Sequence, residues 1–267
     1  MPPPPPRASS LGPIAPDQDD FSAFVFKIQA NMDKQHRDRI AFLRVCSGKF
    51  ERGMKVHHVR SDKPIRLANP TTFLAQERTI VEEGYAGDVM GVYDPGIFEI
   101  GDTVTSGKKF AFEEIPSFAP EHFARVVMAD PLRRKQLKKG LEQLAQEGTI
   151  QLYRPPEGRE GDAILGAVGR LQLEVVKYRL ENEYDAKVRL ETMNMEFCRW
   201  VTHEDASPLT NEQLLDFDRL RVGTPAVDVR GRGVILFQGD WQLNSAKREF
   251  PKLRYTETAR GVVATHA

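Results

Sequence analysis

The chain has 267 residues, 38 Lys and Arg balanced by 38 Asp and Glu, 40% hydrophobic residues and 28% charged ones, enough for two globular domains with sizeable cores. The formal net charge of zero argues against binding DNA or RNA by bulk charge and restricts any RNA contact to a local patch. No apolar run approaches the roughly 20 residues that cross a bilayer, and the opening MPPPPPRASSLGPIAP lacks the apolar core of a secretory signal, so a cytoplasmic chain without membrane contact is expected.

Residues 1–20 combine a proline run, small residues and the acidic group Asp17, Asp19 and Asp20. They read as an extended Pro-rich linker, stiffened toward polyproline II and too poor in apolar residues to fold. From 21 to 115, short strand candidates alternate with turn signals: Phe24 to Ala30, Ile40 to Val45, Met54 to Val59, Ile65 to Ala68, Thr72 to Leu74, Val89 to Val92 and Thr103 to Thr105. This spacing predicts an antiparallel barrel or sandwich. In the first strand Phe24, Phe26, Ile28, Ala30 and Met32 recur at every second residue, so they are expected on one face, with Val25, Lys27, Gln29 and Asn31 on the other. The segment Asp33 to Arg39 is polar and charged and predicts an exposed basic loop. Gly87-Asp88 and Gly101-Asp102 each stand just before a strand, where glycine permits the tight turn and aspartate caps exposed amides.

Beyond a Pro-containing hinge at 116–120 the period changes. Ala124 to Met128 is a strand. Asp130 caps a helix with Pro131 in its first turn and Leu137, Leu141, Leu144 and Ala145 on one face. Strands at Thr149 to Tyr153 and Ala163 to Val168, a helix at Arg170 to Tyr184 and a strand at Ala186 to Thr192 complete the order β-α-β-β-α-β, which is ferredoxin-like. The remainder adds a strand at Arg199 to Thr202, a helix at Thr210 to Arg221 opened by a Thr210 and Gln213 capping box, a hairpin across Arg230 to Gly233, a helix from about Asp240 and a strand at Leu253 to Thr256. Residues 116–267 are therefore expected to form one α+β domain.

Chemistry is sparse. A GTPase needs G-x-x-x-x-G-K-[ST] to cradle phosphate and magnesium, and the nearest strings, Ser47-Gly48-Lys49 and Ser106-Gly107-Lys108, lack the upstream glycine and the hydroxyl that follows. Ser106-x-x-Lys109 sits at a strand end rather than on a helix. Gly166-x-x-Gly169 joins a strand to a helix rather than two helices, and Gly231-x-Gly233 has no third glycine. The six histidines lack metal-ligand spacing, Glu82-Glu83 and Glu113-Glu114 would diverge on a strand, and Cys46 and Cys198 stand alone, with Cys46 expected as a small buried hydrophobe. No active site, cofactor site or metal site is predicted in this chain. Two basic clusters are candidate contacts to RNA phosphates: Lys34, His36, Arg37 and Arg39 in the loop, and Arg133, Arg134, Lys135, Lys138 and Lys139 on the first helix. The bland readings are a solvated loop, or an Arg39 held in a structural ion pair, for the first, and a solvated helix face for the second.

The run Arg39 to Val45, Ser47-Gly48 and Gly53-Met54-Lys55-Val56 resembles the second domain of the translational GTPases. The insert IQANMDKQHRDR, and Gly166-Ala167-Val168-Gly169-Arg170-Leu171-Gln172 with Val175-Val176 and Arg179-Leu180, are similar to the release factor 3 family, although Leu173-Glu174 replaces the usual Phe-Asp. The resemblance implies a translation-factor-type antiparallel β-barrel (21–115) followed by a ferredoxin-like α+β domain (116–267). It further implies a chain beginning where the GTPase domain has been removed, with GTP and magnesium belonging to that missing N-terminal domain. The partners it implies are the ribosome, through its RNA and proteins, the chain's own GTPase domain, and indirectly the decoding release factors. Two other readings stay open at this point: a self-contained RNA- or protein-binding module, and a relative of elongation factor G, which would continue through further domains.

Overall fold

The computed structural model describes residues 3–30, 39–67, 71–74, 77–80, 82–113, 115 and 119–259. The chain divides into two compact units, Met1–Pro116 with Gln146–Gly148, and Ser117–Ala145 with Thr149–Ala267.

The first unit is antiparallel throughout. Its strands are β1 (Ser22–Ala30), β2 (Arg39–Ser47), β3 (Lys49–Glu51), β4 (Lys55–His58), β5 (Lys63–Arg66), β6 (Thr71–Leu74), β7 (Glu77–Ile80), β8 (Glu83–Tyr85), β9 (Val89–Tyr93) and β10 (Thr103–Thr105). Eight of them hydrogen-bond in the order β5-β4-β10-β1-β2-β9-β6-β7, while β3 and β8 form a separate ribbon. The single-face reading of β1 needs correction. A bulge between Val25 and Lys27 switches the strand's faces, because one extra residue advances the two-residue period by half. Ala23, Val25 and Ile28 therefore enter the main core with Leu43, Val45 and Val104. Phe24 and Phe26 turn to a second apolar layer with Ile14, Cys46, Phe110 and Phe112.

That second layer explains why part of the N-terminal stretch is more than a spacer. Arg7 and Ile14 exchange both backbone hydrogen bonds, at 3.0 and 2.8 Å, and Ser10 N–H donates to Ala111 O at 2.9 Å. The Arg7 guanidinium lies 3.6 Å from the centroid of the Phe24 ring, a favourable cation–π placement. Composition predicts an extended segment, but the phenylalanine-rich surface gives it apolar area to cover.

The second unit holds β11 (His122–Met128), a 3-10 turn (Pro131–Arg133), α1 (Arg134–Gln146), β12 (Gln151–Arg154), β13 (Ile164–Ala167), α2 (Arg170–Glu183) and β14 (Val188–Thr192). These strands lie in the order β14-β11-β13-β12, the ferredoxin-like arrangement. The order then repeats. Strand β15 (Phe197–His203), α3 (Asn211–Arg219), β16 (Thr224–Asp228), β17 (Gly233–Phe237), α4 (Asp240–Glu249) and β18 (Leu253–Thr256) give β16-β17-β15-β18, the mirror sequence of the first four. Pairing of Tyr153 with Asp228 and Arg154 with Val227 joins β12 to β16, so two ferredoxin-like halves share one eight-stranded sheet.

Helices α1 and α2 pack Leu141, Leu144, Val176 and Leu180 on Leu152 and Leu165, and α3 and α4 pack Leu214, Phe217 and Leu243 on Ile235 and Phe237. Residues paired across an antiparallel joint share a face, and Arg154, on the face of Leu152, pairs with Val227, which packs in the α3–α4 layer. All four helices thus cover the same side. On the other side Phe123, Tyr153, Ile164, Cys198, Trp200, Ala226, Val234 and Leu236 pack on one another. The polar atoms within that layer are matched: Trp200 Nε1–H donates to Asp228 Oδ2 at 3.0 Å and Arg232 Nε–H to the same oxygen at 2.7 Å.

A short stretch of sequence repeats with the structure. Val168-Gly169-Arg170-Leu171-Gln172-Leu173 leads from β13 into α2, and Gln238-Gly239-Asp240-Trp241-Gln242-Leu243 leads from β17 into α4. Leu171 and Trp241 hold the equivalent position and are 71% and 62% exposed.

Candidate functional site

The loop cluster and the helix cluster fare differently. Lys34, His36 and Arg37 lie outside the described residues. Arg39, expected among the exposed cations, opens β2, and its side chain is only 11% exposed; Nε lies 2.6 Å from Asp94 Oδ2, whose side chain is fully buried. A second guanidinium nitrogen donates to Phe98 O at 2.7 Å. The other oxygen of Asp94 accepts N–H bonds from Gly96, Ile97 and Phe98 at 2.8, 2.8 and 3.2 Å. Arg39 therefore neutralises a buried carboxylate that organises the 94–98 turn, and it is withdrawn from the surface by that pairing.

The helix cluster remains at the surface. The 3-10 turn is capped by Asp130, whose Oδ1 accepts Leu132 N–H at 2.9 Å. Arg133 pairs with Asp185 at 2.8 Å, with both side chains well exposed, a contact of small energetic worth. Arg134, Lys135, Lys138 and Lys139 are exposed; Lys135, Lys138 and Lys139 lie off the stripe of buried Leu137, Leu141 and Leu144, while Arg134 continues that stripe past its buried end at the head of α1. None of the four makes an ion pair among the described residues. Because α1 rises about 1.5 Å per residue, Arg134 and Lys138, like Lys135 and Lys139, stand about 6 Å apart along the axis. Four unneutralised cations in such pairs can bind a row of phosphates.

One constellation in the first unit invites a catalytic reading and does not sustain it. Ser61 Oγ, His58 and Asp102 form a string: His58 Nδ1 lies 2.7 Å from Ser61 Oγ and His58 Nε2 lies 2.8 Å from Asp102 Oδ2. In a hydrolase the carboxylate must be free to stabilise the imidazolium. Here Arg60 holds both oxygens of Asp102, at 2.6 and 2.9 Å, and Glu99 N–H donates to it at 2.7 Å. Burial pushes the Asp102 carboxyl up, but the hydrogen bonds from His58 and Arg60 outweigh it and hold the group below its ordinary value. The imidazole is fully buried, its ring 5.3 Å from that of Phe98. The cluster ties β4 to the turn before β10, an extension of the capping role expected for Asp102.

The weaker motifs also resolve into structure. Ser106 Oγ accepts Phe21 N–H at 3.0 Å while Lys109 pairs with Asp62 at 2.6 Å, so the two groups serve different partners. Burial pushes the thiols of Cys46 and Cys198 up to about 11, which leaves them unreactive at neutral pH. Among the described residues no group of three His, Cys, Asp or Glu side chains is placed to hold a metal ion, and no helix is long and apolar enough to cross a membrane.

Comparison with known proteins decides the family. Residues 112–247 match the family model of the class II release factor RF3 C-terminal domain, just over half of the chain. The chain belongs to the class II release factor RF3 family. Residues 20–107 match the model of elongation factor G domain 2. A curated relative named peptide chain release factor 3, from Symbiobacterium thermophilum, is 48% identical over 259 residues, covering 97% of this chain and 48% of the relative. Another of that name, from Gloeobacter violaceus, is 48% identical over 255 residues, covering 95% and 47%. The chain thus spans about half the length of the curated relatives it matches. A crystal structure of a Thermus thermophilus protein aligns with a TM-score of 0.56 at 22% identity over 70% of this chain and 27% of that one, a likeness of fold alone.

The structural ion pair weighed for Arg39 is the one the structure shows, but its partner is not legible in the sequence, because Asp94 is far along the chain and reads as an ordinary turn aspartate. The signal that was available is the Asp94-Pro95-Gly96 string, which marks a turn whose carboxylate faces three amides.

Proposed function

We propose that this chain is the ribosome-engaging part of a GTP-dependent translation termination factor of the cytoplasm, one that promotes departure of the decoding release factors after peptide release. The observation that carries the reading is the alignment of 97% of the chain with a relative named peptide chain release factor 3. Nucleotide hydrolysis and its magnesium ion belong, in this reading, to a GTPase domain elsewhere in the parent protein, since the sequence contains no G-x-x-x-x-G-K-[ST]. That domain, the ribosome and, indirectly, the decoding factors are the partners; membranes and DNA are not.

Docking is assigned to the free cations of α1, with protein contacts adding to it. Exposed cations facing phosphate release counterions on binding, so affinity falls with salt in proportion to the phosphates engaged, about 0.9 in the log–log slope for each. Co-sedimentation of the chain with ribosomes over a salt series, with and without guanine nucleotide, tests the reading. Saturable binding is expected that weakens with salt, ignores nucleotide and is reduced by Lys135→Glu with Lys138→Glu. Absence of binding at every salt concentration would overturn it.

A further inference from the structure

Leu132 is 88% exposed, more than any other large hydrophobic side chain among the described residues. It is also firmly placed. Pro131 fixes the backbone before it, Asp130 Oδ1 accepts its N–H at 2.9 Å and Asp130 O accepts Arg133 N–H at 3.0 Å. Immediately after it come Arg133, Arg134 and Lys135, and Lys138 and Lys139 follow one turn later. An apolar side chain on a fixed backbone therefore stands at the head of a cationic surface with four charges unneutralised.

The charge selects a polyanion as occupant, and Leu132 selects among polyanions. It gains by contact only where the ligand presents apolar surface close to its own charges. A regular RNA duplex hides its base faces inside the stack and offers side chains a surface of phosphate and sugar. A loop, bulge or end splays bases out within one nucleotide of the phosphates. An anionic bilayer also combines charge with apolar depth, but stable interfacial binding needs a broad apolar face, and here only Leu132 and the exposed Pro131 precede the cations. We propose that this surface recognises RNA at an unstacked nucleotide, with phosphates on Arg134, Lys135, Lys138 and Lys139 and the face of the exposed base against Leu132. The proposal rests on the reading of α1 as the RNA-facing surface and adds the class of RNA element it takes.

The test compares binding of the whole 267-residue chain to two RNAs with equal numbers of phosphates, a stem closed by a loop and a blunt duplex, over a salt series. Anionic phospholipid vesicles form a third arm. The natural chain is expected to favour the stem-loop by on the order of tenfold, the worth of one buried leucine-sized contact. Leu132→Ala, at a position too exposed to disturb folding, removes that preference and leaves the salt slope unchanged. Lys135→Glu with Lys138→Glu lowers the slope by about 2 on both RNAs. Equal binding of stem-loop and duplex by the natural chain, or a preference that survives Leu132→Ala, overturns the base contact while leaving phosphate docking in place. A salt slope indifferent to the charge reversals overturns the underlying reading as well. Vesicle binding that depends on Leu132, with RNA binding indifferent to it, overturns the RNA assignment in favour of a lipid surface.

Discussion

The side-chain oxygen of Gln172 accepts the N–H of Val168 at 2.8 Å, and the side-chain oxygen of Gln242 accepts the N–H of Gln238 at 2.9 Å, at matching corners where β13 enters α2 and β17 enters α4. In both corners a glycine stands at the head of the helix without a side chain to cap it, so the glutamine in the third helical position satisfies the entering strand instead.

Loss of that bond has an unequal cost in the two halves. Gln172 also accepts Gly169 N–H at 3.2 Å, but its corner is partly open to solvent, where water can replace both bonds, so Gln172→Ala is expected to lower stability by about 1 kcal/mol. Gln242 is buried at 7% exposure and also donates to Arg221 O at 3.3 Å. Gln242→Ala therefore strands its partners away from water, and about 2 kcal/mol is expected. Urea denaturation followed by circular dichroism ranks the two.

Arg39 and Asp94 give the largest expected effect. Arg39→Glu places a second carboxylate against one that is fully buried, and Asp94→Ala leaves the guanidinium and three turn amides without their acceptor. Each is expected to cost the first unit about 3 kcal/mol or more. Both tryptophans, Trp200 and Trp241, lie in the second unit, so its fluorescence transition should stay in place while the dichroism midpoint falls. An unshifted dichroism midpoint would refute the structural role given to Arg39.

Asp102 supplies a pH dependence of defined sign. Its folded carboxyl lies below the ordinary value of 3.8, so folding favours the ionised form. That contribution is complete above the unfolded value and is lost as pH falls through the depressed folded value. Stability of the natural chain relative to Asp102→Asn should therefore shrink below about pH 4. A difference that persists undiminished well below that pH would contradict the assigned ion pairs.

Gly140 tests the packing of α1 on α2. A Cβ at this position would lie 2.7 Å from Leu180 Cδ2 and 2.9 Å from the Tyr184 ring, both buried. Gly140→Ala improves helix propensity by about 1 kcal/mol, yet overpacking of a filled core costs about 1–3 kcal/mol. Net destabilisation, seen as a lower thermal midpoint, is the expected result.

Local features are legible in the sequence. Asp130 and Thr210 cap the segments their neighbours suggest, and the ferredoxin-like order of the first half follows from periods of two and near four. What the sequence leaves hidden depends on distant partners. The bulge in β1 is set by its pairing with β2, Arg39 by a turn more than fifty residues away, and the 7–14 segment by a phenylalanine surface built largely after it. The second ferredoxin-like half reads as loose extra elements because its likeness to the first is confined to the stretch around Gly169 and Gly239. Of the candidate contacts, exposure of Lys135, Lys138 and Lys139 follows from their placement off the leucine stripe, whereas no periodicity marks the backbone at Leu132 as fixed.

The joint between β12 and β16 has a consequence beyond packing. Two halves of one fold, meeting antiparallel along the same strand, reproduce within a single polypeptide the geometry of an isologous dimer. A true dimer of identical chains must wear the same charges on both copies of every helix. Covalent fusion lifts that restriction: α1 carries Arg134, Lys135, Lys138 and Lys139, while α3, its counterpart, carries Glu212, Asp216 and Asp218. The second unit thus joins a two-fold architecture to helices of unlike charge, an asymmetry closed to a pair of identical chains.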